Sequence, residues 1–163
     1  MVTIRTYRED DRDALRALVL ALHEEVRPLD ADLAPGPQIL DGHFAHLLRE
    51  RAATRGEIYV AEADHRLVGY ACVFGLVEPN EVDEHPTPYT FLAELYVVES
   101  HRSLRVGGEL MARAEDLARQ LGTTKLELKV HAENRAAQSN YERLGFTTRW
   151  LTMTKRYGRV RGA

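Results

Sequence analysis

Hydrophobic and polar positions alternate with two periods along this chain, and the switches between them outline its elements. Residues 3–7 read as a short first strand. Asp10 or Asp11 is then placed to cap a helix whose Leu15, Leu18, Val19, Leu22 and Val26 share one face, and Pro28 ends it. Pro35-Gly36-Pro37 marks a loop. A second helix follows, with Leu40, Phe44, Leu47 and Leu48 on its buried side and Gly56 near its end.

Residues 58–63 and 67–77 read as two strands joined through Asp64-His65-Arg66, a hairpin signal. Residues 78–88 hold three prolines and four acids, which predicts a mobile loop. Residues 91–98 form the next strand, nearly continuous in apolar character. Residues 105–121 carry the clearest helical stripe, Val106, Leu110, Ala114, Leu117 and Leu121, with Gly122 where a C-terminal cap belongs. Residues 125–131 alternate, Leu126, Leu128 and Val130 against Glu127, Lys129 and His131. Asn134 is placed to open a last helix that runs through Leu144 and closes at Gly145, with strand-like segments after it. The pattern contains no repeats, low-complexity tracts or linkers and predicts one α/β domain over residues 1–163.

Composition narrows the class. A chain of 163 residues, 44% hydrophobic and 29% charged, is long enough to bury a core without disulfides or a structural metal. The net charge of -3 argues against a nucleic-acid partner or an anionic membrane. A lone cysteine, Cys72, sits in the apolar run 70–74 and reads as a core residue; it fits a reducing compartment. The first residues lack the apolar stretch of a secretory signal, so a cytoplasmic location is expected.

The most informative local feature is a strand, a short connection, the pair Gly107-Gly108 and a long helix. The first N–H groups of a helix lack intrahelical partners and carry partial positive charge, so such a turn suits an anion. The glycines allow close approach, and Arg102 and Arg105 add guanidinium groups that match phosphate oxygens. Tight packing alone also explains glycines at such a junction. Neither a Gly-Lys-Ser/Thr ending nor a G-x-G-x-x-G after the first strand is present, which turns the reading away from the common nucleotide loops.

Leu95-Tyr96-Val97, then Arg102-x-x-Arg105-x-Gly107, then Asn134-x-x-Ala137-x-x-x-Tyr141-x-x-x-Gly145-Phe146 resembles the GCN5-related N-acetyltransferase (GNAT) family. The element order matches over residues 3–157, the specific motifs over 94–146. The resemblance implies a mixed, mostly antiparallel sheet flanked by helices, with the fourth and fifth strands splayed apart. It implies acetyl-CoA as acyl donor, with the pantetheine arm against Leu95, Tyr96 and Val97 and the pyrophosphate on Arg102, Ser103, Leu104, Arg105, Val106, Gly107 and Gly108. Asn134 and Ala137 belong to the motif that touches the cofactor, and Tyr141 stands beside its sulfur. Two positions depart from the family pattern: Arg105 replaces a usual Gly or Ala, and His101 a usual aromatic.

The implied chemistry is direct attack of a neutral amine on the thioester in a ternary complex, with no acyl-enzyme and no metal. Tyr141 is the expected general acid for the thiolate. A glutamate that some ribosomal-protein acetyltransferases use as base is replaced here by Lys129, with Glu127 on the same strand face. Glu94 stands where polyamine-type members carry an acid and is the candidate base. His43 and His46, three apart on a helix, are read as surface histidines rather than a metal pair. His85 in the acidic loop reads as solvated. Arg149, Lys155, Arg156, Arg159 and Arg161 read as a solvated basic tail. The acceptor is expected to be a small-molecule amine, with a protein α-amine or lysine (a peptide acceptor) second; dimers are common in the family, so a homodimer is among the expected states. A non-catalytic acyl-CoA-binding domain is the alternative from a different class.

Overall fold

The computed structural model describes residues 1–81 and 83–157. Val82, Arg159 and Arg161, and the side chain of Ser103, lie outside the described residues. The chain divides into two compact units, Met1–His131 and Ala132–Ala163.

The first unit runs β1 (Val2–Thr6), α1 (Arg12–Val26), α2 (Gly36–Ala53), β2 (Glu57–Ala63), β3 (Arg66–Val77), β4 (Tyr89–Val97), α3 (Val106–Leu121) and β5 (Leu126–Leu128). The strands form one sheet in the order β1-β2-β3-β4-β5. Pairing is antiparallel through β4 and parallel between β4 and β5. The β2–β3 hairpin turns at Asp64 and His65, both at positive φ (48° and 61°), as a two-residue turn compatible with strand twist requires.

β3 is buried on both faces, which explains its continuous apolar run. Tyr70, Cys72 and Phe74 join Leu15, Leu18 and Val19 of α1 and Phe44 and Leu47 of α2 in one core. The alternate residues Ala71 and Val73 are equally buried, and α3 packs along β2, β3 and β4 with Val106, Leu110, Met111, Ala114, Leu117 and Ala118 buried. Asp11 ties the first strand to α1: Arg5 donates to both its oxygens at 2.7 and 2.8 Å, and the Arg8 N–H donates at 2.8 Å.

Two irregularities position the candidate site. Cys72 pairs with Glu94 but Val73 pairs with Leu92, so Ala93 is an extra residue that bulges β4 immediately before Glu94. β5 pairs only with Thr90, Phe91 and Leu92, so the strands share three positions before that bulge and none after it. The fourth and fifth strands therefore splay, as the family resemblance implied.

The end of α2 is locked to β3. Arg55 takes the left-handed conformation (φ 58°), and the Gly56 N–H returns to the Arg51 carbonyl at 2.7 Å, closing the helix. Gly56 thus serves close approach rather than the cap itself: a Cβ there would lie 2.1 Å from the Val73 carbonyl oxygen. The Gly75 and Leu76 N–H groups donate to Thr54 Oγ1 (3.0 Å) and the Thr54 carbonyl (2.6 Å).

Two strand expectations need correction. The alternation over 125–131 yields a strand only at Leu126–Leu128, because β4 bends away at Ala93 and leaves no ladder for Lys129 to His131. The second unit contains α4 (Arg135–Arg143) and, among the described residues, no strand after Gly145. Trp150, Leu151, Met153 and Tyr157 are exposed; their strand-like pattern finds no partner backbone.

Gly56→Ala should destabilise the protein by about 1–3 kcal/mol, since a backbone oxygen cannot yield as a side chain can. Gly42, inside α2 with nothing within 4 Å of an added Cβ, should behave oppositely. Gly42→Ala should stabilise by roughly 1 kcal/mol. Urea denaturation of both variants checks this contrast.

Candidate active site

A short 3₁₀ stretch, Glu99–Leu104, links β4 to α3 and places Arg105 at the helix N-cap with φ 62° and ψ 5°. The position is left-handed, where the family's usual Gly or Ala sits and where an arginine is strained. The first main-chain bond of α3 runs from the Glu109 N–H to the Arg105 carbonyl at 3.1 Å. The N–H groups of Val106, Gly107 and Gly108 therefore lack intrahelical acceptors. Among the described residues no side chain caps this end. A Cβ on Gly108 would meet nothing within 4 Å, and one on Gly107 only Val97 at 3.9 Å. Unpaired amides beside two glycines whose Cβ positions are open fit a pyrophosphate, and on this ground the residues present suit acetyl-CoA.

Arg102 is engaged elsewhere. Its guanidinium donates to the Val97 carbonyl (2.9 Å) and to Glu25 of α1 (2.5 Å) and lies 5.6 Å from the Tyr96 ring centre. Leu104 is exposed. Leu95, Tyr96 and Val97 pair with Ala71, Tyr70 and Gly69 on one edge, beyond the reach of β5 on the other.

Glu94 stands where the sequence reading put an acid, but its surroundings were not foreseen. One carboxylate oxygen accepts from the Tyr70 hydroxyl at 2.6 Å, and the other lies 2.6 Å from His43 Nε2. Tyr70 is fully buried, Glu94 retains 13% of its side-chain exposure and His43 33%. The register makes the tyrosine contact: Cys72 faces Glu94 and Tyr70 faces Tyr96, so Tyr70 and Glu94 are diagonal neighbours. Burial, then the Glu94 charge, pushes the Tyr70 phenol well above its ordinary value, so it stays a donor. The hydrogen bond to Glu94 raises the His43 imidazole above its usual value, outweighing desolvation.

His43 is not the surface histidine its sequence context suggests: it belongs to the inner stripe Leu40-His43-Phe44-Leu47 of α2 and reaches Glu94. That i, i+3, i+4, i+7 spacing was the signal in the sequence. His46 parts from it, meeting Arg49 (3.0 Å) and standing edge-on to Phe74. Burial pushes the Cys72 thiol up, in keeping with a core role. Lys125 pairs with Glu127 at 2.9 Å. His85 meets Thr87 at 2.8 Å.

In the second unit, Asn134 caps α4, its side chain accepting from the Ala137 N–H at 3.2 Å. The Tyr141 ring meets Phe146 edge-on with centres 5.8 Å apart, and burial raises its phenol above the ordinary value. The family motif of Asn134, Ala137 and Tyr141 is thus a capped helix with an aromatic at its far end.

A bulged strand parted from its parallel neighbour, followed by a helix start with unpaired amides, is the arrangement that the family resemblance implied. Residues 19–146 match the Acetyltransferase (GNAT) family. The chain belongs to that family. It is 32% identical over 73 residues to the uncharacterized N-acetyltransferase YycN of Bacillus subtilis (strain 168), covering 45% of this chain and 47% of that one. It is 31% identical over 108 residues to the probable N-acetyltransferase camello of Xenopus tropicalis, covering 66% and 44%. The chain thus spans about half the length of the curated relatives it matches. Among solved structures it resembles aminoglycoside acetyltransferase AAC(6')-Iy in complex with the bisubstrate analog CoA-S-monomethyl-acetylneamine. The TM-score is 0.70 at 21% identity, over 96% of this chain and 99% of that one; the likeness is one of fold. Among the described residues no helix is long and apolar enough to cross a membrane, and no group of three His, Cys, Asp or Glu is arranged to hold a metal.

Arg105→Gly should raise stability by about 1–2 kcal/mol through release of the left-handed strain. Thermal or urea unfolding of the two proteins side by side measures this.

Proposed function

We propose that the protein is an acetyl-CoA-dependent N-acetyltransferase that moves the acetyl group to a primary amine by direct attack in a ternary complex. The observation that carries the reading is the conjunction of a one-sided β4 edge at Leu95 to Val97 with the unpaired amides at the start of α3. One suits the amide groups of a pantetheine arm, the other its pyrophosphate. Family membership supports the same assignment. Bound acetyl-CoA supplies a thioester whose carbonyl carbon accepts the amine.

Around it, each residue has a definite task. The backbone of Leu95, Tyr96 and Val97 orients the arm. Val106, Gly107 and Gly108 hold the pyrophosphate through their N–H groups, with Ser103 and Leu104 completing the loop. Arg105 adds a guanidinium at the same place. Arg102 reaches the phosphates by exchanging its contact with Glu25 for one with a phosphate oxygen, one charge-assisted pair for another. Asn134 and Ala137 set the end of α4. Tyr141, protonated because burial raises its phenol, gives a proton to the departing thiolate. Glu94 marks the acceptor side, where a carboxylate attracts a cationic amine.

A small-molecule amine is the favoured acceptor, as in the aminoglycoside acetyltransferase whose fold is shared; a cytoplasmic setting suits both the donor and the lone buried thiol. Titration calorimetry should give micromolar binding of acetyl-CoA, weakened about 5–10-fold, or roughly 1–1.4 kcal/mol, by Arg105→Ala. Thiol release across an amine panel should identify an acceptor, and Tyr141→Phe should lower kcat about 100-fold with binding retained. Absence of acetyl-CoA binding would overturn the reading; binding with no turnover for any amine would leave a non-catalytic acyl-CoA-binding domain.

A further inference from the structure

The Glu94 carboxylate is already occupied. Its two oxygens meet the Tyr70 hydroxyl and His43 Nε2, each at 2.6 Å. A carboxylate held this way accepts an N–H from the imidazole, so in the neutral ring Nε2 carries the proton and Nδ1 keeps the lone pair. Nδ1 has no hydrogen bond to any described residue. The His43 side chain is one-third exposed, more than twice the exposure of Glu94, so an acceptor reaches the imidazole more readily than the acid beneath it.

Resting on the reading of the protein as an amine acetyltransferase, we propose that His43 Nδ1 takes the proton from the acceptor ammonium, and that Glu94 and Tyr70 position it. The acceptor R–NH3⁺ gives one proton to Nδ1, forming an imidazolium that Glu94 stabilises. The freed lone pair attacks the thioester carbonyl, a C–N bond forms and the C–S bond breaks. The thiolate takes up the proton that the new amide nitrogen gives up. His43 then returns its proton to solvent, so each turnover releases one proton net. Tyr70 keeps its proton because it lies fully buried against the Glu94 carboxylate.

Among the described residues few other groups bear on the imidazole. β4 brings Glu94, and β3 brings Tyr70 and Cys72, both buried. From α1, Arg12 and Arg16 stack over the Phe44 ring one residue away, at 5.4 and 5.6 Å. On α2 itself Asp41 pairs with Arg16, and His46 is taken up by Arg49 and Glu50. Glu94 is the charged neighbour that sets the His43 titration.

The base must be neutral to act, so kcat should rise with pH through the pKa of His43, above the ordinary imidazole value of about 6.5. Kinetics are measured on the full chain with acetyl-CoA and the best amine of the panel. His43→Gln should lose the rising limb and about 100-fold in kcat, with acetyl-CoA affinity unchanged. In Glu94→Gln the raising interaction is gone, so the limb should move to lower pH. Added imidazole should restore part of the activity of His43→Ala. NMR titration of the histidines, which needs no turnover, should show the His43 resonance moving above 6.5 in the wild type and falling in Glu94→Gln. An unchanged limb with kcat within about twofold in a folded His43→Gln would overturn the proposal while leaving the acetyltransferase reading intact. An imidazole that titrates without reference to Glu94 would overturn it as well. Failure of the wild-type protein to turn over any amine would instead remove the reading on which it rests.

Discussion

Glu94 presents a carboxylate between the middle of the sheet and the helix that covers it, and each of its oxygens is met by a group from a different element. A partly buried acid can remain charged only where such partners replace water. Much of the unit's construction serves that contact. The bulge at Ala93 sets the register so that Glu94 faces Cys72 and lies diagonal to Tyr70. The closure of α2 at Arg55 and the backbone approach of Gly56 to Val73 fix the helix against β3, which delivers His43. Loss of the carboxylate would strand a buried hydroxyl and release the imidazole.

The same bulge divides β4 into two halves with different partners. Before it, Thr90 to Leu92 pair with β5; after it, Leu95 to Val97 pair with β3 alone. A sheet normally hides both edges of an interior strand, and an interior strand left open on one side is an invitation to an extended ligand. The chain then turns directly into the start of α3, so an edge of main-chain groups and a set of unpaired amides follow one another within about ten residues of sequence. Arg105 holds the left-handed corner between them at an energetic cost that glycine would avoid. That strain is the mark of a position whose backbone geometry matters more than its side chain.

Where pattern and packing agree, the sequence was a sufficient guide. The stripe of α3, its cap at Gly122 and the existence of a hairpin after residue 63 all follow from local composition, although Arg66 belongs to β3 rather than to the connection. The motif residues 94–97, 102–108 and 134–146 carried the family, because amide geometry and small residues leave a readable spacing. Strand lengths were less legible. Residues 125–131 alternate for seven positions, yet only three find a ladder, since a strand exists only where another backbone meets it. Gly56 has the composition of a cap and the function of a contact.

The sequence by itself determined the order of elements, the departure at Arg105 from the family's usual Gly or Ala, and the residue types that carry the family resemblance. Those properties are short-range: they depend on periodicity, on φ preferences and on which side chains carry protons. Tertiary structure alone decided that His43, fifty-one positions before Glu94, is its partner, and that Tyr70 is the other. A histidine within an apolar helical stripe can face any of several strands. Which one it meets is set by where a bulge re-aims the sheet and where the helix is clamped to it, and neither is written in the residues that make the contact.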